Sequence, residues 1–324
     1  MRSSILLLLW SGGCASDTNL RPRIPVEDPA PPLPEPQTDW IVQPDRQTVD
    51  VLWVIDDSGS MSNDQEALAE HIPAFMDWFV GSALDFHVGI TTTDASPIDE
   101  LGVLRSIGGS AHPWIDPDTE DPIEAFRRAA IVGTDGTSSE AGLGATYLGL
   151  AVRTRDANAG FLREHASLHT IVISDEDDDT DPDLIDAQEF ADWYGQLDPQ
   201  PDRRTFNTIV ATGGALAGHT YLSVRSAVGG TGADIRHDAW IQILDELGRW
   251  MTSPKTTFYL SQQPAHDTVV VEVIDQGGET LPFVEGRDYG YDPTLNAISF
   301  WRTYPPPAST VRIDYLAVPR APAP

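Results

Sequence analysis

Three short stretches hold the side chains best suited to chemistry. The first, Ile55-Asp56-Asp57-Ser58-Gly59-Ser60-Met61-Ser62, contains the pattern D-x-S-x-S in Asp56, Ser58 and Ser60. An apolar run precedes it and an amphipathic pattern follows, which places it on a strand-to-helix turn. A tight turn there aims one carboxylate and two hydroxyls at a common point. The second stretch, His169-Thr170-Ile171-Val172-Ile173-Ser174-Asp175, is another apolar run that delivers a carboxylate at its end. The third, Gly133-Thr134-Asp135-Gly136-Thr137-Ser138-Ser139-Glu140, is a glycine-rich loop opening a helix, with hydroxyls at its tip. Oxygen donors of this kind, largely neutral and leaving room for water, suit a hard cation such as Mg²⁺.

The elements that must position these residues follow from periodicity. Residues 49–55 are a near-continuous apolar run, the pattern of a strand buried on both faces of a parallel sheet; 169–174 form a second buried strand and 205–212 a further strand. Residues 84–92 form a further strand and 101–107 a short edge strand. Helical spacing covers 65–80, 140–154, 184–194 and 239–251. This order predicts an α/β fold: an open, doubly wound, mainly parallel sheet whose ligands sit at the carboxyl ends of its strands. After Pro254 the texture changes to short period-two runs at 257–260, 268–274, 297–301 and 310–316, split by Gly, Pro and Asn. They predict a small antiparallel, β-sandwich-like module over 254–324.

On the three segments quoted above, residues 47–253 resemble a von Willebrand factor A-type domain with a metal-ion-dependent adhesion site. The resemblance implies that Ser58 and Ser60 bind the ion directly and that Asp56 and Asp175 hold its waters. Thr137 would be the loop hydroxyl that moves between shells, with Thr134 as the alternative on that loop. It also implies Mg²⁺, with Mn²⁺ or Ca²⁺ as substitutes, and a protein ligand that presents an acidic side chain to the metal. The departure from the family lies after Asp175, where Asp-Gly is common and this chain runs Asp175-Glu176-Asp177-Asp178-Asp179-Thr180-Asp181-Pro182-Asp183. Asp175, Asp177 and Asp179, with Asp186 at the twelfth place, imitate an EF-hand loop, but Thr180 stands where that loop needs glycine. The run reads as a solvated acidic loop with room for an auxiliary Ca²⁺.

Two other function classes compete. A serine hydrolase would use Ser58 with Asp234 and His237, although Asp56 stands where a Gly-Asp-Ser nucleophile motif has glycine and no oxyanion segment is visible. A scaffold with a vestigial metal site would make its contacts through the β module. His87 and His169 fall inside strands and read as core histidines.

Composition narrows the partners. The 324 residues carry 50 acids against 20 bases, a formal charge of −30, which repels phosphate backbones and excludes nucleic acid as a partner. Cys14 is the single cysteine, which excludes disulfides and zinc ribbons. It follows a basic start, a short apolar run and Ser11-Gly12-Gly13, and so resembles the lipidation site of a bacterial lipoprotein with a signal over 1–13. Residues 14–46 form a Pro-rich linker, with eight prolines between Arg21 and Pro44. At ~3.1 Å per residue a polyproline-II spacer of that kind spans on the order of 80 Å. The expected location is the cell envelope, with the N-terminal lipid as the protein's contact with a membrane.

Overall fold

The computed structural model describes residues 33–43, 47–82, 84–137, 139–198, 200–214, 217–237, 239–253 and 256–319. Cys14, the signal over 1–13 and most of the expected linker lie outside the described residues. In chain order the elements are β1 (Glu35–Val42), β2 (Thr48–Ile55), α1 (Ser62–His71), α2 (Pro73–Val80), β3 (Asp85–Thr92), α3 (Pro122–Ala129) and α4 (Gly142–Tyr147). Next come β4 (Ser167–Ser174), α5 (Ala187–Gly195), β5 (Arg204–Val210), α6 (His219–Val228), β6 (Gly232–Asp234) and α7 (Trp240–Thr252). The chain then runs through β7 (Thr257–Tyr259), β8 (Val270–Ile274), β9 (Thr280–Leu281), β10 (Tyr289–Asp292), β11 (Ala297–Phe300) and β12 (Thr310–Ala317). Among the described residues no helix is long and apolar enough to cross a membrane.

Five strands make one sheet in the order β3-β2-β4-β5-β6, and each pairing is parallel. The fold is thus an open α/β sheet. Every residue of β4 and β5 is buried, polar ones such as Thr170 and Asn207 included, so neither strand alternates between a buried and an exposed face. Side chains still divide by parity. Val49, Val51, Trp53 and Ile55 of β2 face a core closed by α1, α2, α3 and α7, around Phe75, Phe126 and Leu244. Leu52 and Val54 face the opposite core, where Phe190, Tyr194, Phe206 and Tyr221 pack with α4, α5 and α6. The chain leaves β2 for β3 on one side and returns to β4 on the other, so the winding reverses between β2 and β4.

Several elements differ from expectation for local reasons. The helix expected over 65–80 breaks between α1 and α2, because Pro73 has no N–H to donate and starts a new helix instead. The helix expected over 140–154 is α-helical only in α4, then continues as a π-turn to Val152 and a 3₁₀ turn to Arg155. Residues 101–107 are not a strand. The outer edge of β3 is covered piecemeal, by Arg105 N–H donating to Ile90 O (2.8 Å) and by a two-way pairing of Val88 with Ile115.

The β module has two antiparallel sheets, β1-β12-β8-β9 and β10-β11-β7. They share one core of Ile41, Phe258, Val273, Ile298, Phe300, Val311, Ile313 and Tyr315, which makes it a small sandwich. Its first strand corrects the expected linker: residues 35–42 are not polyproline spacer but β1, paired along its whole length with β12. Thr38, Trp40, Ile41 and Val42 are strand-forming residues, Ile41 is buried in the core, and Pro36 is tolerated because β1 is an edge strand. Asp39 pins the strand by accepting hydrogen bonds from Ser261 N (2.8 Å), Ser261 Oγ (2.6 Å) and Tyr315 OH (3.0 Å).

Candidate metal centre

The carboxyl ends of β2 and β4 lie side by side at the reversal of winding, where open α/β sheets present their ligand crevice. Asp56 follows β2 directly, with its N–H donating to Ile173 O of β4 at 3.0 Å. Its carboxylate is fully buried and held from both sides. Oδ1 accepts from the Ser58 amide (2.8 Å) and Oδ2 from Ser174 Oγ (2.6 Å). Beyond it runs a chain of donors: Ser58 Oγ lies 3.0 Å from Ser60 Oγ, and Ser60 Oγ donates to Asp175 Oδ1 at 3.1 Å. Four of the five expected residues, Asp56, Ser58, Ser60 and Asp175, therefore meet at one point.

Thr137 is placed differently. Its hydroxyl donates to Asp94 Oδ1 (2.8 Å), just past the end of β3, and to none of those four. Thr134 is exposed. The loop itself is nevertheless drawn in. Gly136 N–H donates to Asp57 O (3.0 Å), and a Cβ at Gly136 would sit 2.7 Å from Asp57 Oδ1, so only glycine allows this approach. Gln65, buried on α1, ties the two loops together. Its amide donates to Asp56 O (2.9 Å) and Gly133 O (2.8 Å), and its Oε1 accepts from Gly133 N (3.2 Å).

Acids not marked as ligands from the sequence, Asp57, Asp64, Glu140 and Glu176, crowd the same place around Asp56 and Asp175. Burial first, then the neighbouring charges of Asp175 and Asp56, push the Asp64 carboxyl up to about 6. Asp57 is likewise raised to about 6, by burial and then by Asp94, with Arg105 tempering it weakly. Asp175 and Glu176 are raised, by burial above all and by Asp56. Glu140 goes furthest, to about 8, through burial and the charges of Asp56, Asp57 and Glu176, against the hydrogen bond from Thr93. Asp57 Oδ1 and Glu140 Oε1 are buried with no hydrogen-bond partner among the described residues.

The acidic run after Asp175 is a clasp for the scaffold. Asp178 accepts from Leu143 N (2.9 Å) and Thr180 Oγ1 (2.9 Å), while Thr180 Oγ1 accepts from Gly144 N, so the run caps the start of α4. Asp177 accepts from Thr220 N at the start of α6, and Asp186 is the capping residue of α5. Of the EF-hand imitation, Asp177 and Asp186 thus serve helix starts, while Asp179 accepts from Ser139 Oγ (2.9 Å) and Asp175 from Ser60 Oγ.

The donor set fits a hard divalent cation. Hydroxyl and carboxylate oxygens converge, acids repel one another with little basic compensation, and two buried carboxylate oxygens lack partners. Among the described residues no three His, Cys, Asp or Glu side chains are grouped so as to hold a metal ion between them, so any cation here would rely on the serine hydroxyls as well. Of the residues a serine hydrolase would use, Ser58 Oγ lies against Ser60 Oγ, and Asp234 accepts from Arg236 and Thr212.

No family model matches this sequence, and no curated protein does. Solved structures with a similar chain path include a von Willebrand factor type A protein from Catenulispora acidiphila, at 15% identity and a TM-score of 0.43, covering 89% of this chain and 67% of that one. The pilus adhesin SpaC of Lactobacillus rhamnosus GG, in its open conformation, is 12% identical with a TM-score of 0.38, over 87% of this chain and 41% of that one. Proximal thread matrix protein 1 of the mussel byssus is 11% identical with a TM-score of 0.40, over 66% and 48%. The chain thus spans less than half the length of the latter two. These are likenesses of fold, and the site rests on its own geometry.

Proposed function

We propose that this protein is a binding module rather than an enzyme, and that it takes a divalent cation, Mg²⁺ foremost, at Asp56, Ser58, Ser60 and Asp175. Through that cation it binds an acidic side chain on a protein partner. The observation that carries this reading is the hydrogen-bonded chain from Ser58 through Ser60 to Asp175, backed by the clamped carboxylate of Asp56. Bound there, the cation supplies a positive coordination point for the partner's carboxylate. The chain's own residues do the rest. Ser58 and Ser60 present neutral oxygens that leave the charge uncancelled. Asp56, fixed by Ser174 and the Ser58 amide, and Asp175 orient water, and Gln65 keeps the glycine-rich loop in register with the first loop.

We place the protein at the cell envelope, exported and lipid-anchored through Cys14. Cys14→Ala is expected to move it from the membrane to the soluble fraction without changing its melting temperature; identical fractionation of mutant and wild type would remove the anchor from this reading. For the site, Mg²⁺ titrated into the full chain by calorimetry is expected to bind wild type and not Ser58→Ala. Capture of a partner from envelope extract should disappear with chelator. Equal Mg²⁺ binding by both proteins would place the ion elsewhere.

A further inference from the structure

Glu140 lies at the end of the glycine-rich loop, three residues past Thr137. Its side chain is 1% exposed. One carboxylate oxygen accepts from Thr93 Oγ1, and the other, Oε1, has no partner among the described residues. The backbone fixes it there. Glu140 bridges Asp94, Ala141 N donates to Thr93 O (2.7 Å), and Asp179 N donates to Glu140 O (2.6 Å). The side chain cannot swing out to water without unzipping these contacts. A buried carboxyl with an unpaired oxygen is costly to the fold on its own. Thr93, which holds this carboxyl, donates its N–H to Ile55 O (3.3 Å), the residue before Asp56, and the acids that act on Glu140 are Asp56 of the site with Asp57 and Glu176 beside it. Thr137, meanwhile, has its hydroxyl directed to Asp94.

We propose that Glu140, and not Thr137, is the donor that the glycine-rich loop contributes to the cation site, as a carboxylate facing the ion's water shell. This deepens the cation-binding reading above and rests on it. Acting through water, the Glu140 carboxylate would steady the ion without taking the coordination position left for the partner's carboxylate.

The test is Mg²⁺ alone, titrated by calorimetry into full-length wild type, Glu140→Gln and Thr137→Val. Loss of a carboxylate acting through the water shell is expected to weaken Mg²⁺ affinity by about tenfold or more, whereas Thr137→Val changes it by less than about threefold. Glu140→Gln binding as tightly as wild type overturns the proposal, and so does a tenfold loss in Thr137→Val. If Glu140→Gln does not fold, judged by its circular dichroism in chelator, the exposed Thr137→Val still decides between the two donors. Wild type that binds no Mg²⁺ overturns the cation-binding reading itself, a result distinct from either variant's failure.

Discussion

The α/β sheet and the β sandwich are joined to their chain in opposite ways. In the sheet each strand is reached from its predecessor through helices that pack on one or other of its two faces, and the site forms where the crossovers part company. In the sandwich the first strand pairs with the last, and Thr38 donates to Asp314 across 276 residues of chain. Their charges differ too. The sheet gathers acids at the ends of β2 and β4 with little to neutralise them, whereas the sandwich sets Arg312 between Glu272 and Asp314 on its outer face. Where acids are left unpaired at such a point, the proposed cation would be their partner; where they are paired, as around Arg312, the charges are already balanced within the protein.

The sharpest way to break this comparison is to hollow out each core in turn. Trp53 packs edge-on against Phe75 and Phe126 directly beneath the site. Trp53→Ala is expected to cost about 3–5 kcal/mol in chemical unfolding and to abolish the stabilisation by Mg²⁺. Ile313→Ala, in the sandwich, is expected to cost about 2–5 kcal/mol while leaving the response to Mg²⁺ in place. If both variants lose the response equally, the two regions fold and bind as one unit and the contrast fails.

Next in size is the ion itself. Mg²⁺ at a hundredfold excess over its Kd is expected to stabilise wild type by about 2.7 kcal/mol. In Asp56→Ala/Asp175→Ala the gain should vanish, and the apo double mutant should be no less stable than apo wild type, because the repulsion leaves with the ligands. A double mutant that still gains stability from Mg²⁺ would move the site out of the β2–β4 crevice.

Legibility in the sequence followed the same divide. Strands β2, β4 and β5 were readable because burial on both faces leaves no polar alternation. D-x-S-x-S was readable because it begins where the first of those runs stops. Strand β1 was not, because its partner is at the other end of the chain and its prolines mimic a spacer. The α3 and α6 helices were missed for another reason: each is short, and α6 mixes Ser, Thr, His and Arg into its pattern. Thr137 had the right type and spacing, but which way its hydroxyl turns depends on Asp94, brought in by β3. The signal for Glu140 was present. It opens a run of small and apolar residues, Ala141-Gly142-Leu143-Gly144-Ala145, which have no polar side chain to pair with a buried acid.

A smaller effect should appear with pH. Asp57 and Asp64 are raised to about 6 and Glu140 to about 8, by burial and by neighbouring acids. The folded state therefore binds more protons than the unfolded chain between the ordinary carboxyl range and those values. The contribution to stability is full below about 4 and is lost as pH rises through 6 to 8. Without metal the melting temperature is expected to fall from pH 5 to pH 8. Saturating Mg²⁺ should flatten most of that slope. Part should persist through Asp50, raised to about 6 by burial despite Arg163, at the far end of the sheet. A metal-free melting temperature that climbs over the same range would show that these acids are compensated after all.

The finest test exchanges one acid for its amide in each region and reads only the sign. Asp64 sits half-buried in the first turn of α1, pressed by Asp175 and Asp56, and without metal its charge opposes the fold. Asp64→Asn should raise apo stability and lower the gain from Mg²⁺. Glu272 lies 3.1 Å from Arg312 on the outer face of the sandwich, where both side chains remain partly exposed. Glu272→Gln should lower stability and leave the response to Mg²⁺ unchanged. Each change is expected to stay under about 1 kcal/mol, since solvent screens both groups. Paired unfolding curves in chelator resolve the difference, because the two shifts run in opposite directions. If both variants shift the same way, charge imbalance does not separate the two regions, and the case for a cation at the crevice loses its electrostatic support.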